Sequence, residues 1–200
     1  MRPQTNNCRS CGEIGRGNRL RSLGMLRYYA GQATAIHGET IENSLPGEIF
    51  SYTLKEPIGV VGVACPDEAP LLAFISLVAP LIAMGNRVVA VPSERHPLAA
   101  TDFYQVLETS DVPGGVVNIV TGDRNELVKV LAEHDDVDAL WAFGSAGASA
   151  AAERLSIGNL KRTLVDHGLA LDWYDKAASE GPILLRHAVQ VKNIWIPYGD

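Results

Sequence analysis

The chain has 200 residues, of which 46% are hydrophobic and 20% charged, the balance of a folded soluble protein rather than a disordered one. This length suits one or two domains with a sizeable core. A formal net charge of −6 gives no electrostatic reason to bind nucleic acid or an anionic membrane. The mostly apolar segment at residues 69–84 is short for a bilayer span and contains two prolines. Three cysteines do not make a disulfide framework and we find no secretory signal, so we expect a cytoplasmic protein.

The N-terminal segment, residues 1–23, is polar and rich in arginine, with little hydrophobic periodicity. It predicts a disordered leader, and a misassigned reading frame is an alternative for this segment. Cys8 and Cys11 form a CxxC pair, which is half of a zinc site or a redox pair. Neither a second CxxC nor a nearby histidine pair completes a tetrahedral site, so no metal is expected.

Next, residues 20–37 predict an amphipathic helix interrupted at Gly31. Residues 40–53 predict two short strands around a Leu-Pro-Gly turn at 45–47. An isolated hairpin is marginally stable in water, so this one needs a third strand or a partner.

From residue 58 onward, strands alternate with helices, which is typical of an α/β protein with a doubly wound parallel sheet. The first strand has no apolar–polar alternation, as expected of a strand covered on both faces. The predicted strands are 58–64, 87–91, 116–120, 139–143 and 162–165, and the predicted helices are 69–84, 97–108, 123–133 and 146–155. After Gly168 a partly helical connector, 169–181, leads to a tail, 183–198, that ends in a strand.

One catalytic hypothesis follows from this layout without reference to any family. Cys65 ends the first strand of the parallel sheet, and Asp166 and His167 follow the fifth, so all three belong to the carboxyl edge of the sheet. A Cys–His pair there would make a thiol site. However, the fourth strand is expected to separate the first from the fifth, and Cys65 is more simply a small core residue.

Three blocks resemble the nucleotide-binding domain of the aldehyde dehydrogenase superfamily: EPIGVVG at 56–62, APLIAMGNRVVAVPSE at 79–94, and VPGGVVNIVTG at 112–122. The tail QVKNIWIPYG resembles the last strand of that family, which pairs with the hairpin to complete a three-stranded oligomerisation arm. The resemblance divides the chain into a leader (1–23), a Rossmann-like domain of about five strands (24–168) and a connector with the closing strand (169–200). It also implies that the family's catalytic domain is missing between the last two.

The resemblance implies no catalytic residue. The family's nucleophile motif, F-x-N-x-G-Q-x-C, has no match in the sequence. Glu68 stands where the family has the oxyanion asparagine, and a carboxylate cannot donate a hydrogen bond to an oxyanion. Val165 stands where the family has its general-base glutamate.

The cofactor residues implied by the resemblance are degenerate. Glu94 matches the glutamate of the family's KPAE motif, but Val91 replaces its lysine. Gly144 and Ser145 match the Gly-Ser that begins the pyrophosphate-binding helix. No cofactor is therefore expected, with weak NAD binding as one alternative and a simple turn and helix cap at Gly144–Ser145 as another.

The resemblance is closest to the degenerate second half of family 16 aldehyde dehydrogenases. It implies a non-catalytic module that supports a dehydrogenase catalytic unit, with a second copy, that unit, or both as partners. The alternative is an NAD-binding dehydrogenase fragment or subunit that is active in a complex. The interaction surface is expected in the hairpin and the tail, 41–53 and 189–198, at Ile49, Phe50, Tyr52, Val191, Ile194, Trp195 and Ile196.

Overall fold

The computed structural model describes residues 8–42, 44 and 48–198, with residues 8–17 as backbone only. The helices in this part of the chain are α1 Cys8–Thr34, α2 Pro70–Ala83, α3 Leu98–Thr101, α4 Tyr104–Glu108, α5 Arg124–Glu133, α6 Ala146–Leu155, α7 Lys176–Ser179 and α8 Pro182–His187. The strands are β1 Thr40–Ile41, β2 Ile49–Pro57, β3 Val60–Ala64, β4 Arg87–Val91, β5 Val117–Ile119, β6 Ala139–Ala142, β7 Arg162–Val165 and β8 Val189–Pro197.

Five of these strands form a parallel sheet in the order β5-β4-β3-β6-β7. Strand β3 lies in the middle and is buried along most of its length, which explains its unbroken apolar sequence. The chain moves outward from β3 through β4 to β5, then returns to β3's other side at β6. This is the predicted doubly wound α/β fold, and β6 separates β3 from β7 as expected.

The core occupies both faces of the parallel sheet, because successive side chains of a strand point to opposite faces. On β6, Trp141 packs with the cluster that contains α2 and the buried residues Met25 and Tyr29 of α1. Its neighbour Leu140 packs with the cluster that contains residues of α5 and α6. Helix α2 is buried along most of its length because it lies between α1 and the sheet.

The remaining three strands form a separate antiparallel sheet in the order β1-β2-β8, which we call the arm. Strand β2 pairs with β8 over nine residues, from Ile49 opposite Pro197 to Pro57 opposite Val189. Strand β1 adds a short pairing that joins Thr40 to Tyr52. The predicted hairpin and its completion by the tail are confirmed, while the predicted turn at 45–47 lies outside the described residues.

Helix α1 begins at Cys8 and runs without a break through Gly31 to Thr34. Residues 8–23, predicted as part of a disordered leader, belong to this helix in the structure, and residues 1–7 lie outside the described residues. The polar sequence has weak amphipathicity, but Ser22, Met25 and Tyr29 are buried. Packing of α1 against α2 overrides the weak local signal.

Two further segments differ from the prediction. The single helix predicted at 97–108 is two short helices, α3 and α4, because hydrogen bonds between residues three apart replace the α-helical pattern near Phe103. The ring of Phe103 packs edge-on against Phe74, with 5.9 Å between centroids. The start of the predicted tail is helix α8, with Pro182 in its first turn. None of the helices in the described part of the chain is long and apolar enough to cross a membrane.

Candidate functional site

A crevice opens at the carboxyl edge of the parallel sheet, where the strand order reverses between β3 and β6. Open α/β sheets bind their ligands at this position. The crevice has a volume of about 410 Å³ and is lined by the loops after β3, β6 and β7 and by the first turns of α5 and α6. It is therefore the place to look for a functional site in the body of the molecule.

Arg124, in the first turn of α5, bridges this reversal point. Its Nη2 donates to the main-chain carbonyl of Phe143, which follows β6, and lies 3.4 Å from the carbonyl of Ala64, which ends β3. The sequence reasoning did not single out Arg124. A signal was available, because a cation in the first turn of a helix opposes the helix dipole and needs another reason to be there.

Two side chains of this chain, Ser145 and Asp166, accept hydrogen bonds at the amino end of α6. Ser145 is the N-cap, and its Oγ accepts from the amide of Ala148 at 3.3 Å. The amide of Gly144 donates to Asp166 Oδ1 at 3.0 Å. The same oxygen lies 3.4 Å from the Oγ of Ser149 and 3.3 Å from the amide of Gly168. A carboxylate of the protein itself therefore lies at the positive end of α6.

A second carboxylate on the crevice wall, Asp67, joins the loop after β3 to the loop after β4. Asp67 Oδ1 accepts from Ser93 Oγ at 2.7 Å and from the amide of Arg95 at 3.3 Å. Partial burial raises the pKa of the Asp67 carboxyl, but these hydrogen bonds and the charges of Arg124 and Arg95 outweigh it. The pKa of Asp67 therefore lies below its usual value.

The predicted cofactor residues do not meet in the crevice. Gly144 and Ser145 line it, but Glu94 is exposed in the loop after β4 and is not among the described residues that line the cavity. The wall carries the carboxylates of Asp67, Glu68 and Asp166. A dinucleotide presents an anionic pyrophosphate, which needs free donors and positive charge. The three carboxylates of the wall would repel such a group.

The structure shows where Glu68 and Val165 lie, the positions that the resemblance matches to the family's oxyanion asparagine and general-base glutamate. Glu68 is exposed and lines the crevice, and Val165 is half-buried on β7. Cys65 is fully buried, and this burial raises the pKa of its thiol to about 12, although the charge of Arg124 lowers it. His167 is exposed and lies 3.7 Å from Glu153. The Cys–His hypothesis is therefore wrong, because the thiol is enclosed and the imidazole faces solvent.

The arm brings together the predicted interaction residues. Cross-strand partners share a face of an antiparallel sheet, so Phe50 and Ile196 lie side by side, as do Tyr52 and Ile194. The rings of Phe50 and Tyr52 are 5.6 Å apart. The opposite face carries Ile49, Val191 and Trp195. Phe50 is 43% exposed and Trp195 58% exposed, and the outer edge of β8 pairs with no strand in the described part of the chain.

Comparison with known proteins identifies the family. The family model described as the aldehyde dehydrogenase family matches residues 7–169. The chain belongs to the aldehyde dehydrogenase family. It is 38% identical to aldehyde dehydrogenase 1A1 of Rattus norvegicus over 148 residues, 74% of this chain and 29% of that protein. It is 41% identical to aldehyde dehydrogenase family 2 member C4 of Arabidopsis thaliana over 124 residues, 62% of this chain and 25% of that protein.

Solved aldehyde dehydrogenases share the fold. The structure of aldehyde dehydrogenase from Brucella melitensis biovar abortus 2308 superposes with a TM-score of 0.73 at 25% identity, covering 77% of this chain and 32% of the other. Betaine aldehyde dehydrogenase from Staphylococcus aureus gives 0.72 at 28% identity, covering 77% and 30%. The chain therefore matches less than a third of the length of these family members.

Proposed function

We propose that this aldehyde dehydrogenase-like chain is a non-catalytic assembly module, whose arm joins it to a second copy or to a dehydrogenase catalytic unit. The observation that carries the proposal is the arm itself. A nine-residue ladder between β2 and β8 exposes apolar side chains on both of its faces. It also leaves the outer edge of β8 without a neighbouring strand among the described residues.

The exposed edge and faces of the arm are suited to association. An unpaired strand edge offers main-chain donors and acceptors that another strand can bind, with side-chain specificity from alternate positions. The edge of β8 carries Val191 and Trp195 on one face and Ile194 and Ile196 on the other. Aromatic and aliphatic side chains of this kind are enriched at the centres of protein interfaces.

The crevice supports the non-catalytic part of the proposal. Glu68 and Val165 stand where the family resemblance expects an oxyanion donor and a general base. Asp166 lies at the amino end of α6, and Arg124 is engaged with main-chain carbonyls. These features favour a structural role for the crevice over hydride transfer to a nicotinamide.

The proposal also extends to the subfamily. The tail, with its KNIWIPYG run, resembles the degenerate second half of family 16 aldehyde dehydrogenases. In such a protein the partner of the arm is a dehydrogenase-type unit or its symmetry-related copy. A homodimer is the simplest assembly, because a two-fold axis lets the same patch meet itself.

Light scattering behind a sizing column tests whether the arm joins two copies of the chain. We expect the chain to elute with a mass of twice its 21.5 kDa. Joint replacement of Phe50→Ser and Trp195→Ser should give the single-chain mass. The matched control is Leu98→Ser with Leu169→Ser, which removes apolar side chains that are 72% and 76% exposed on the body. A wild-type chain that stays single at every concentration would exclude the second copy and leave a dehydrogenase catalytic unit as the partner of the arm. A control that dissociates equally would contradict the role of the arm.

Family membership favours a second candidate, an NAD-binding dehydrogenase subunit that acts in a complex. The carried-over residues Glu94, Gly144 and Ser145 support it. The charges around the crevice oppose it. The two candidates differ in whether the chain binds NAD, which a calorimetric titration with NAD and NADH measures.

A further inference from the structure

Both long strands of the arm meet the body of the molecule at one buried side chain, Asn86. This residue lies between the end of α2 and the start of β4 and is 2% exposed. Its Oδ1 accepts from the amides of Ile58 and Gly59, at 2.7 and 3.1 Å, just after β2. Its Nδ2 donates to the carbonyl of Ala188, at 2.8 Å, just before β8.

The fourth hydrogen bond of Asn86 anchors this cluster to the body. Nδ2 also donates to the carbonyl of Leu81 in α2, at 3.0 Å. Two amides on one side and two carbonyls on the other use both acceptor positions and both donors of the carboxamide. An isosteric carboxylate, or an apolar side chain of this size, would leave buried main-chain groups unpaired.

We infer that Asn86 is a positioning residue that fixes the direction of the arm relative to the parallel sheet. The inference rests on the proposed function of the arm as an assembly surface. Pro57 and Val189 are the last pair of the β2–β8 ladder, and Asn86 contacts the main chain immediately beyond each of them. The carboxamide of Asn86 therefore links the ends of β2 and β8 to each other and to α2.

Each of the other described polar contacts at the base of the arm reaches at most one of the two strands, β2 and β8. Arg162 Nη1 donates to the carbonyl of Val189 at 2.9 Å and so reaches β8 but not β2. On the β2 side, Asp138 Oδ2 accepts from the amide of Val60 at 2.8 Å, but this bond lies within the parallel sheet. Among the described residues, Asn86 is the side chain whose hydrogen bonds join both strands to the body.

Hydrogen exchange followed by mass spectrometry tests this role with the variant Asn86→Asp. The carboxylate keeps the two accepted bonds but faces the carbonyls of Leu81 and Ala188 without a proton to donate. We expect amides of β2 and β8 to exchange faster by about tenfold or more, the factor that one lost buried hydrogen bond carries. Amides of β3 and β4 should keep their wild-type rates.

The matched control is Asn118→Asp. Asn118 Nδ2 also donates to two main-chain carbonyls, those of Val88 and Gly115, at 3.3 and 2.9 Å. It lies on β5, which belongs to the parallel sheet and not to the arm. The control should leave exchange in β2 and β8 unchanged. Equal acceleration of the arm in both variants, or unchanged arm exchange in Asn86→Asp, would overturn the inference.

A second measurement needs no variant and covers the case in which Asn86→Asp does not fold. In the wild-type protein, amide exchange resolved by NMR should be slower at Ile58 and Gly59, the two donors to Asn86, than at Phe50 and Ile196, which are paired in the arm. Comparable rates at all four amides would overturn the inference. These exchange experiments do not require association, so a monomeric chain would exclude self-association of the arm without deciding the role of Asn86.

Discussion

Replacement of Arg124 by methionine should destabilise the protein by a predictable amount. The variant keeps much of the apolar stem and removes the guanidinium. The Ala64 carbonyl also accepts from the amide of Phe143 at 3.2 Å, so it keeps a partner. The main loss is the bond to the Phe143 carbonyl, and a hydrogen bond to a charged group contributes about 1.5–3 kcal/mol. Removal of a cation from the first turn of α5 stabilises the folded state by about 0.3–1 kcal/mol, because the cation opposes the helix dipole there.

The net expectation for Arg124→Met is a loss of about 0.5–2.7 kcal/mol, centred near 1.6 kcal/mol, in the free energy of unfolding, from the difference between these two effects. Urea denaturation followed by tryptophan fluorescence measures it, with an unchanged m-value as the sign that the folded state is intact. Lys129→Met is the control, because Lys129 is an exposed cation on the same helix. It should change stability by about 0.5 kcal/mol or less. An Arg124 variant as stable as this control would refute the bridging role.

Two further predictions concern ionisable groups near the crevice. Burial raises the pKa of the Cys65 thiol to about 12. Iodoacetamide at pH 8 should therefore label Cys65 in urea but not in the native protein, as judged by peptide mass mapping. Labelling of the native protein at the rate of a free thiol would contradict the burial of Cys65. The pKa of Asp67 is lowered in the folded state, so its stabilising effect is present above its unfolded pKa of about 3.9 and is lost as the pH falls through the folded value. The Tm difference between wild type and Asp67→Asn should therefore be largest near neutral pH and shrink below about pH 4. A difference that stays constant with pH would show that the charge of Asp67 is not responsible for the stabilisation.

Much of the fold could be predicted because its local signals agree with its packing. The β-branched strand β4, the edge strand β7 and the alanine-rich helix α6 have the predicted bounds. The start of α1 could not be predicted in this way. Its first half is polar and glycine-containing, and the helix depends on contacts between α1 and α2 that sequence periodicity does not reveal.

The candidate site was predictable in position but not in its contacts. The family resemblance matches Gly144 and Ser145 to the start of the pyrophosphate-binding helix, and in the structure they immediately precede α6 at the crevice, while their cofactor role stays a prediction. The acceptor of the Gly144 amide, Asp166, depends on the packing of the loop after β7 beside α6. Similarly, the bonds of Asn86 to both strands of the arm arise from contacts with residues up to 102 positions away, which local sequence patterns do not reveal.

The most direct test of the central claim, that this chain serves assembly and not cofactor chemistry, is a calorimetric titration of the wild-type chain with NAD and NADH. A full-length aldehyde dehydrogenase serves as the positive control. We expect no saturable binding of either nucleotide at concentrations up to about 1 mM, which corresponds to a binding free energy weaker than about −4 kcal/mol. Saturable binding with a Kd below about 1 mM would contradict it and favour the NAD-binding subunit.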